Sequence, residues 1–169
     1  MAETCRQMLK DIGVKPERLA LEWASAAEGP RYVELITQYT ARITEMGPLG
    51  EGEGEGGKEE VQRRLKAATE AVAARKVRMM FANLAKNMLK DGDYGADTIT
   101  DGVSKKVLPS FRTERISREI ALCLAAQGSC DVSGLAELTG GSGDELEKIL
   151  AALQKKGTVK EEKAGWALA

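Results

Sequence analysis

A mainly α-helical chain with minor β structure is predicted from three observations. Ala, Leu, Glu and Lys dominate, while Phe, Trp and Tyr make up 4% of the 169 residues, a balance that favours helix over strand. Apolar residues recur at helical spacing through most of the chain. Two-residue alternation is confined to a short stretch around Leu21 and to the C-terminal end.

The first helix is expected over Ala2 to Ile12, where Cys5, Met8, Leu9 and Ile12 share a face and Gly13 follows as a stop. Pro16 then forces a turn or extended segment. Leu19, Leu21 and Trp23 alternate and read as a strand. A second helix starts near Pro30, carries Tyr32, Val33, Leu35, Ile36, Tyr39, Ile43 and Met46 on one face, and ends at Gly47-Pro48. A lone strand cannot satisfy its own backbone groups. It must join a sheet, and nothing later in the chain reads as that sheet.

Residues 50-58 alternate Gly and Glu and are expected to be a flexible acidic linker. A calcium loop would hold Asp and Asn at fixed offsets in a defined turn, which this repeat lacks. Residues 59-111 form a helical middle region. One long helix is expected from Glu59 to about Lys90, with Val61, Leu65, Ala68 and Val72 as its first apolar stripe. A short helix from Asp97 to Leu108 is expected to end at Pro109. Between Lys58 and Arg118 there are 14 Lys or Arg against 8 Asp or Glu. This surplus is either a solvated face or a docking surface for an acidic partner, or for the acidic linker itself.

Residues 112-169 have the order helix, short extended piece, helix, helix, hairpin. Ile116, Ile120 and Leu124 mark the first helix, and Cys130-Asp131-Val132 the extended piece, with Ser133 as a cap. Ser142 opens the last helix and Glu145 completes a capping box. Leu146, Ile149, Leu150 and Leu153 form that helix's apolar face, and Trp166 lies in the hairpin. This is the layout of a winged-helix module. Its recognition helix would begin Ser142-Gly143-Asp144-Glu145-Leu146-Glu147, acidic where a DNA reader needs cations. Nucleic acid is therefore disfavoured as a partner, and protein docking is the better reading. A winged-helix DNA-binding regulator is the alternative.

The chemistry available is narrow. There is no histidine, which removes the usual general base and the commonest metal ligand. The three cysteines, Cys5, Cys123 and Cys130, contain no C-x-x-C pair. No catalytic, cofactor-binding or metal residue is assigned. No apolar run reaches the roughly 20 residues needed to cross a bilayer, and a cytoplasmic protein is expected.

The stretch from Arg6 to Gly29, above all Arg18-Leu19-Ala20-Leu21-Glu22-Trp23-Ala24-Ser25-Ala26-Ala27-Glu28-Gly29, with the helix ending Glu45-Met46-Gly47-Pro48-Leu49, resembles the hydrogenase iron-sulfur subunit family, the delta subunit of methyl-viologen-reducing hydrogenase. The same domain is fused to some heterodisulfide reductase-like proteins. The resemblance implies that residues 1-49 are the C-terminal fragment of a truncated α/β domain. It implies an accessory role in anaerobic electron transfer, with subunits of a hydrogenase or heterodisulfide reductase complex as partners. The family's iron-sulfur cluster is held by cysteines upstream of the matched segment, so none of its ligands maps here. The cluster is expected in the full family domain or in a partner chain. A split subunit, or a reading frame opened at Met1 behind a selenocysteine codon, would account for this. Leu19, Leu21, Trp23 and Trp166 are the expected partner-docking residues.

Overall fold

In the computed structural model, residues 1–51, 53, 57–163 and 165–169 are described. The chain forms two compact units, Met1–Val61 and Gln62–Ala169.

The first unit opens with helix α1, Ala2–Asp11. Gly13, at φ 80°, reverses the chain, and the Val14 N–H donates back to the Leu9 carbonyl at 2.9 Å. Ile12 and Val14 are buried at this turn. Pro16–Arg18 makes one 3-10 turn. The expected strand around Leu21 does not form. Among the described residues, 19–25 is extended but joins no sheet. The alternation is present, but no strand lies beside it to take its ladder bonds. Helix α2, Gly29–Met46, has proline in its first turn and ends at Gly47, φ 70°. None of its residues is fully buried.

Helix α3, Gly57–Ala73, bridges the two units in sequence, and α4 runs Arg75–Asp91. A single long helix was expected here. Ala74 breaks it with φ −62°, ψ 134°, an extended conformation. The buried positions explain the break. Ala67, Ala68 and Ala71 are covered in α3, then Val77 and Leu84 in α4, while Val72 of the expected stripe is exposed. Small alanines set the covered face of α3, and tertiary contact overrides local propensity at Ala74.

Helix α5, Ala96–Gly102, passes through a π turn, Val103–Val107, directly into α6, Leu108–Gln127. Pro109 therefore does not end a helix. It sits in the first turn of α6, where a missing N–H costs nothing. Leu84 packs so closely on α5 that a Cβ on Gly102 would lie 2.6 Å from its Cδ1.

Strand β1 is Ser129–Cys130, α7 is Val132–Thr139, α8 is Gly143–Lys155, β2 is Val159–Glu162 and β3 is Gly165–Leu168. The strands form one antiparallel sheet in the order β1-β3-β2, with Cys130 opposite Trp166 and Lys160 opposite Ala167. Asp131, not Ser133, caps α7 by accepting from the Gly134 N–H at 2.8 Å. Ser142 caps α8 as expected, accepting from the Glu145 N–H. The second half of the capping box is not made, because the Glu145 carboxylate is taken by Arg112 at 3.2 Å. Ile116, Ile120 and Leu124 pack with Leu135, Leu146, Ile149, Leu150 and Val159 in one core. Burying each such side chain contributes roughly 1.5–3 kcal/mol.

Beside that core lies a buried charge centre. The Glu119 side chain is fully inaccessible. Arg115, one helical turn earlier, donates to it and, at 3.3 Å, to the Thr139 carbonyl. Arg63 donates to Glu119 at 3.3 Å and to the Leu138 carbonyl at 2.8 Å, and Arg64 lies at 3.6 Å. Burial pushes the Glu119 carboxyl above its ordinary range, against the pull of Arg115, Arg64 and Arg63. Removing the carboxylate would leave arginines in the interior without their counter-charge. We expect Glu119→Ala to cost about 3–5 kcal/mol, read as a lower urea midpoint by circular dichroism.

Candidate docking site

The site lies in the first unit and is built around Arg18. Its guanidinium Nε donates to the Glu53 carboxylate, and its Nη2 reaches the carbonyls of Met46, Gly47 and Pro48 at 3.3, 2.9 and 3.3 Å. Met46 and Gly47 stand at the C-terminal end of α2, where the helix leaves acceptors without partners, and the Pro48 carbonyl just beyond also accepts from the Glu51 N–H at 3.1 Å. The Tyr39 hydroxyl donates to the Arg18 carbonyl from the side of α2. One residue thus ties the 3-10 turn to the middle and the end of α2.

Glu53 completes the clamp. Its carboxylate also accepts from the Gly50 N–H at 3.1 Å and the Lys15 N–H at 3.4 Å, and both Glu53 and Gly50 are buried. Burial works against the charged form, but Arg18 and the two N–H donors outweigh it and hold the pKa below its ordinary value. The segment read as an acidic linker therefore contains one glutamate folded into this unit. Positions 52 and 54–56 of that segment lie outside the described residues, and α3 already begins at Gly57.

The clamp holds out an open apolar surface. Residues 19–25 follow Arg18 directly, with Leu19 half-buried, Leu21 53% exposed and Trp23 79% exposed. Arg31 of α2 donates to the Trp23 carbonyl at 3.2 Å and fixes the far end. Among the described residues, no hydrogen bond is made by the N–H groups of Ala20 to Ala24. Tyr32, Val33 and Ile36 of α2 are exposed as well. Leu19, Leu21 and Trp23 thus lie on one segment. Trp166 belongs to the second unit, where it is half-buried against the core beneath the sheet.

Sequence reasoning gave no site role to Arg18, Tyr39 or Glu53, and placed Tyr39 only on the apolar face of the second helix. Arg18 stood inside the most distinctive stretch, but nothing in the Gly/Glu repeat distinguishes Glu53 from Glu51.

The three cysteines lie on different elements of the fold. Cys5 is on α1 in the first unit, whereas Cys123 is buried in α6 and Cys130 lies on β1 of the second. A cluster needs four ligands brought together. Among the described residues, no group of three or more Cys, Asp or Glu is placed to hold a metal ion. Burial raises the thiols of Cys123 and Cys130 above their ordinary range.

Residues 1–47 match the protein family described as methyl-viologen-reducing hydrogenase, delta subunit. Over 48 residues the chain is 40% identical to a ferredoxin:CoB-CoM heterodisulfide reductase subunit from Methanosarcina mazei, covering 28% of this chain and 6% of that protein. Over 43 residues it is 40% identical to the F420-non-reducing hydrogenase iron-sulfur subunit from Archaeoglobus profundus, covering 25% of this chain and 31% of that protein. The chain therefore spans less than a third of the length of these relatives. No solved structure matches it.

The Glu53 pKa is depressed in the folded state, so the stability it contributes is present above the ordinary carboxylate range and is lost as pH falls through the lowered value. Acidification should therefore lower the protection factors of the Gly50 and Lys15 amides, taken against the intrinsic exchange rate at each pH. Glu53→Gln should remove that pH dependence and leave protection low throughout. Amide exchange followed by NMR across the acid range checks both.

Proposed function

We propose that this chain is an accessory subunit, or a fragment of one, in an electron-transfer complex of the hydrogenase or heterodisulfide reductase type. The observation that carries this reading is the 40% identity of the N-terminal segment to subunits of both kinds of enzyme. In this reading residues 1-49 are the C-terminal part of a delta-subunit-like domain. The cluster ligands and the rest of its sheet come from polypeptide beyond this segment or from a partner chain. Leu19, Leu21 and Trp23 form the contact, with unpaired N–H groups available for strand pairing. The chain itself does no redox chemistry and works in the cytoplasm. Among the described residues, no helix is long and apolar enough to cross a membrane.

Residues 112-169 serve in this reading as a winged-helix-like protein-docking module, with Trp166 at its wing. The element order and the β1-β3-β2 sheet support that architecture. The acidic first turn of α8, Asp144 and Glu145, supports protein over DNA as the partner. Arg112 is already engaged with Glu145 and adds no free cation there.

Two outcomes are expected. Co-expressed with a tagged relative of either kind, the heterodisulfide reductase protein or the hydrogenase iron-sulfur protein, the chain should co-purify. Leu21→Asp combined with Trp23→Ser should abolish recovery while the helical circular dichroism persists. Failure of the unaltered chain to co-purify with either would sink the proposal. Anaerobic iron-sulfur reconstitution of the chain alone should leave it colourless in the visible range. A stable cluster at one per chain would show that ligands had been missed.

A further inference from the structure

The second unit carries a charged surface that the proposed electron-transfer role does not use. Helix α4 contains Arg75, Lys76, Arg78, Lys86 and Lys90, and its single acid is Asp91 at the last position. Among the described residues none of the five cations makes an ion pair. The inward side of α4 is set by Val77 and Leu84. At 100° per residue, Arg75, Met79, Ala82, Lys86 and Leu89 fall on the opposite side, flanked by Arg78 and Lys90. Met79 is 47% exposed and Leu89 72%. Their separation of ten residues is about 15 Å along the axis. The acids near the end of the helix, Asp91, Asp93, Asp97 and Asp101, line a cleft with Leu84 and Asn87 on a different flank.

This arrangement works against the helix that bears it. Arg75, Lys76 and Arg78 crowd the N-terminal turn, where the macrodipole favours acids, and the first turn contains none. Ala74 offers no side-chain cap. Arg75, Lys76 and Arg78 are therefore not explained by the stability of α4, whereas Lys90 in its last turn is favoured by the macrodipole, and a negatively charged partner would offset the repulsion at the N-terminal end.

We propose that the outer face of α4 docks an acidic polypeptide segment, with carboxylates on Arg75, Arg78, Lys86 and Lys90 and apolar side chains on Met79 and Leu89. Charge complementarity selects an anion, and the exposed Met79 and Leu89 select a protein among anions. A nucleic-acid backbone offers these two side chains nothing to bury them. An anionic bilayer requires a broad continuous apolar face, and two large residues three turns apart do not form one. The surface lies in the second unit, outside the segment similar to the hydrogenase subunits, so this inference stands or falls independently of the proposed complex.

The test uses the full chain and a fluorescein-labelled helical peptide in which Glu flanks Leu at i, i+4 spacing. Fluorescence polarisation should show saturable binding that weakens with salt. Arg78→Glu combined with Lys86→Glu should weaken it about tenfold or more, roughly 1.4 kcal/mol. Leu89→Ser should weaken it with the salt dependence unchanged. A peptide with Ser in place of Leu should bind more weakly than the parent. Circular dichroism is recorded for each variant, and Arg78→Gln with Lys86→Gln replaces the reversal pair if helicity falls. No peptide binding, equal binding by the variants, or equally tight binding of duplex DNA or phosphatidylglycerol vesicles would each overturn the proposal.

Discussion

The carboxylate of Glu119 has no access to water, and the geometry of the second unit follows from that fact. An ion in the interior must be surrounded by counter-charge, or its burial is prohibitively costly. Here the counter-charge comes from two separate helices. Arg115 lies one turn away on α6, and Arg63 and Arg64 come from α3. The same arginines reach the carbonyls of Leu138 and Thr139 where α7 ends. Three helices are therefore set at mutual positions by one buried charge, whereas an apolar contact would tolerate sliding. The helix–strand–helix–helix–hairpin portion is thereby fastened to α3, more than forty residues earlier in sequence.

In the first unit Arg18 plays a comparable part with less covering around it. It gathers the end of α2, the 3-10 turn and Glu53, and holds residues 19–25 away from that packed corner. The similarity to the hydrogenase and heterodisulfide reductase subunits ends at about the residues whose carbonyls Arg18 binds. Glu53 lies beyond it. The clamp therefore joins the shared segment to sequence outside the match, and it does so without covering Leu21 or Trp23.

The legible parts of the fold were those written in local pattern. Helical spacing and glycine stops located α1, α2 and α8, and the hairpin followed from its alternation and turn. The break at Ala74 was not legible, since alanine is the best helix former and the bend is imposed by which alanines are covered. Pro109 misled for a related reason: a proline ends one helix or begins another, and only the π turn before it reveals which. Of the site, Leu19, Leu21 and Trp23 could be named from alternation alone, but their lack of a partner strand is a property of the whole chain. Glu53 was invisible because three equivalent glutamates stand in one repeat, and only three-dimensional proximity to Arg18 selects it.

Strand β2 and residues 19–25, two of the extended edges among the described residues, are treated in opposite ways. Strand β2 ends its sheet with Lys160, Glu161 and Glu162 facing solvent, charges that discourage a stranger from adding to it. Residues 19–25 have only Glu22 for that purpose, between two exposed apolar side chains. That difference leaves residues 19–25 the less guarded of the two against pairing between copies of the chain.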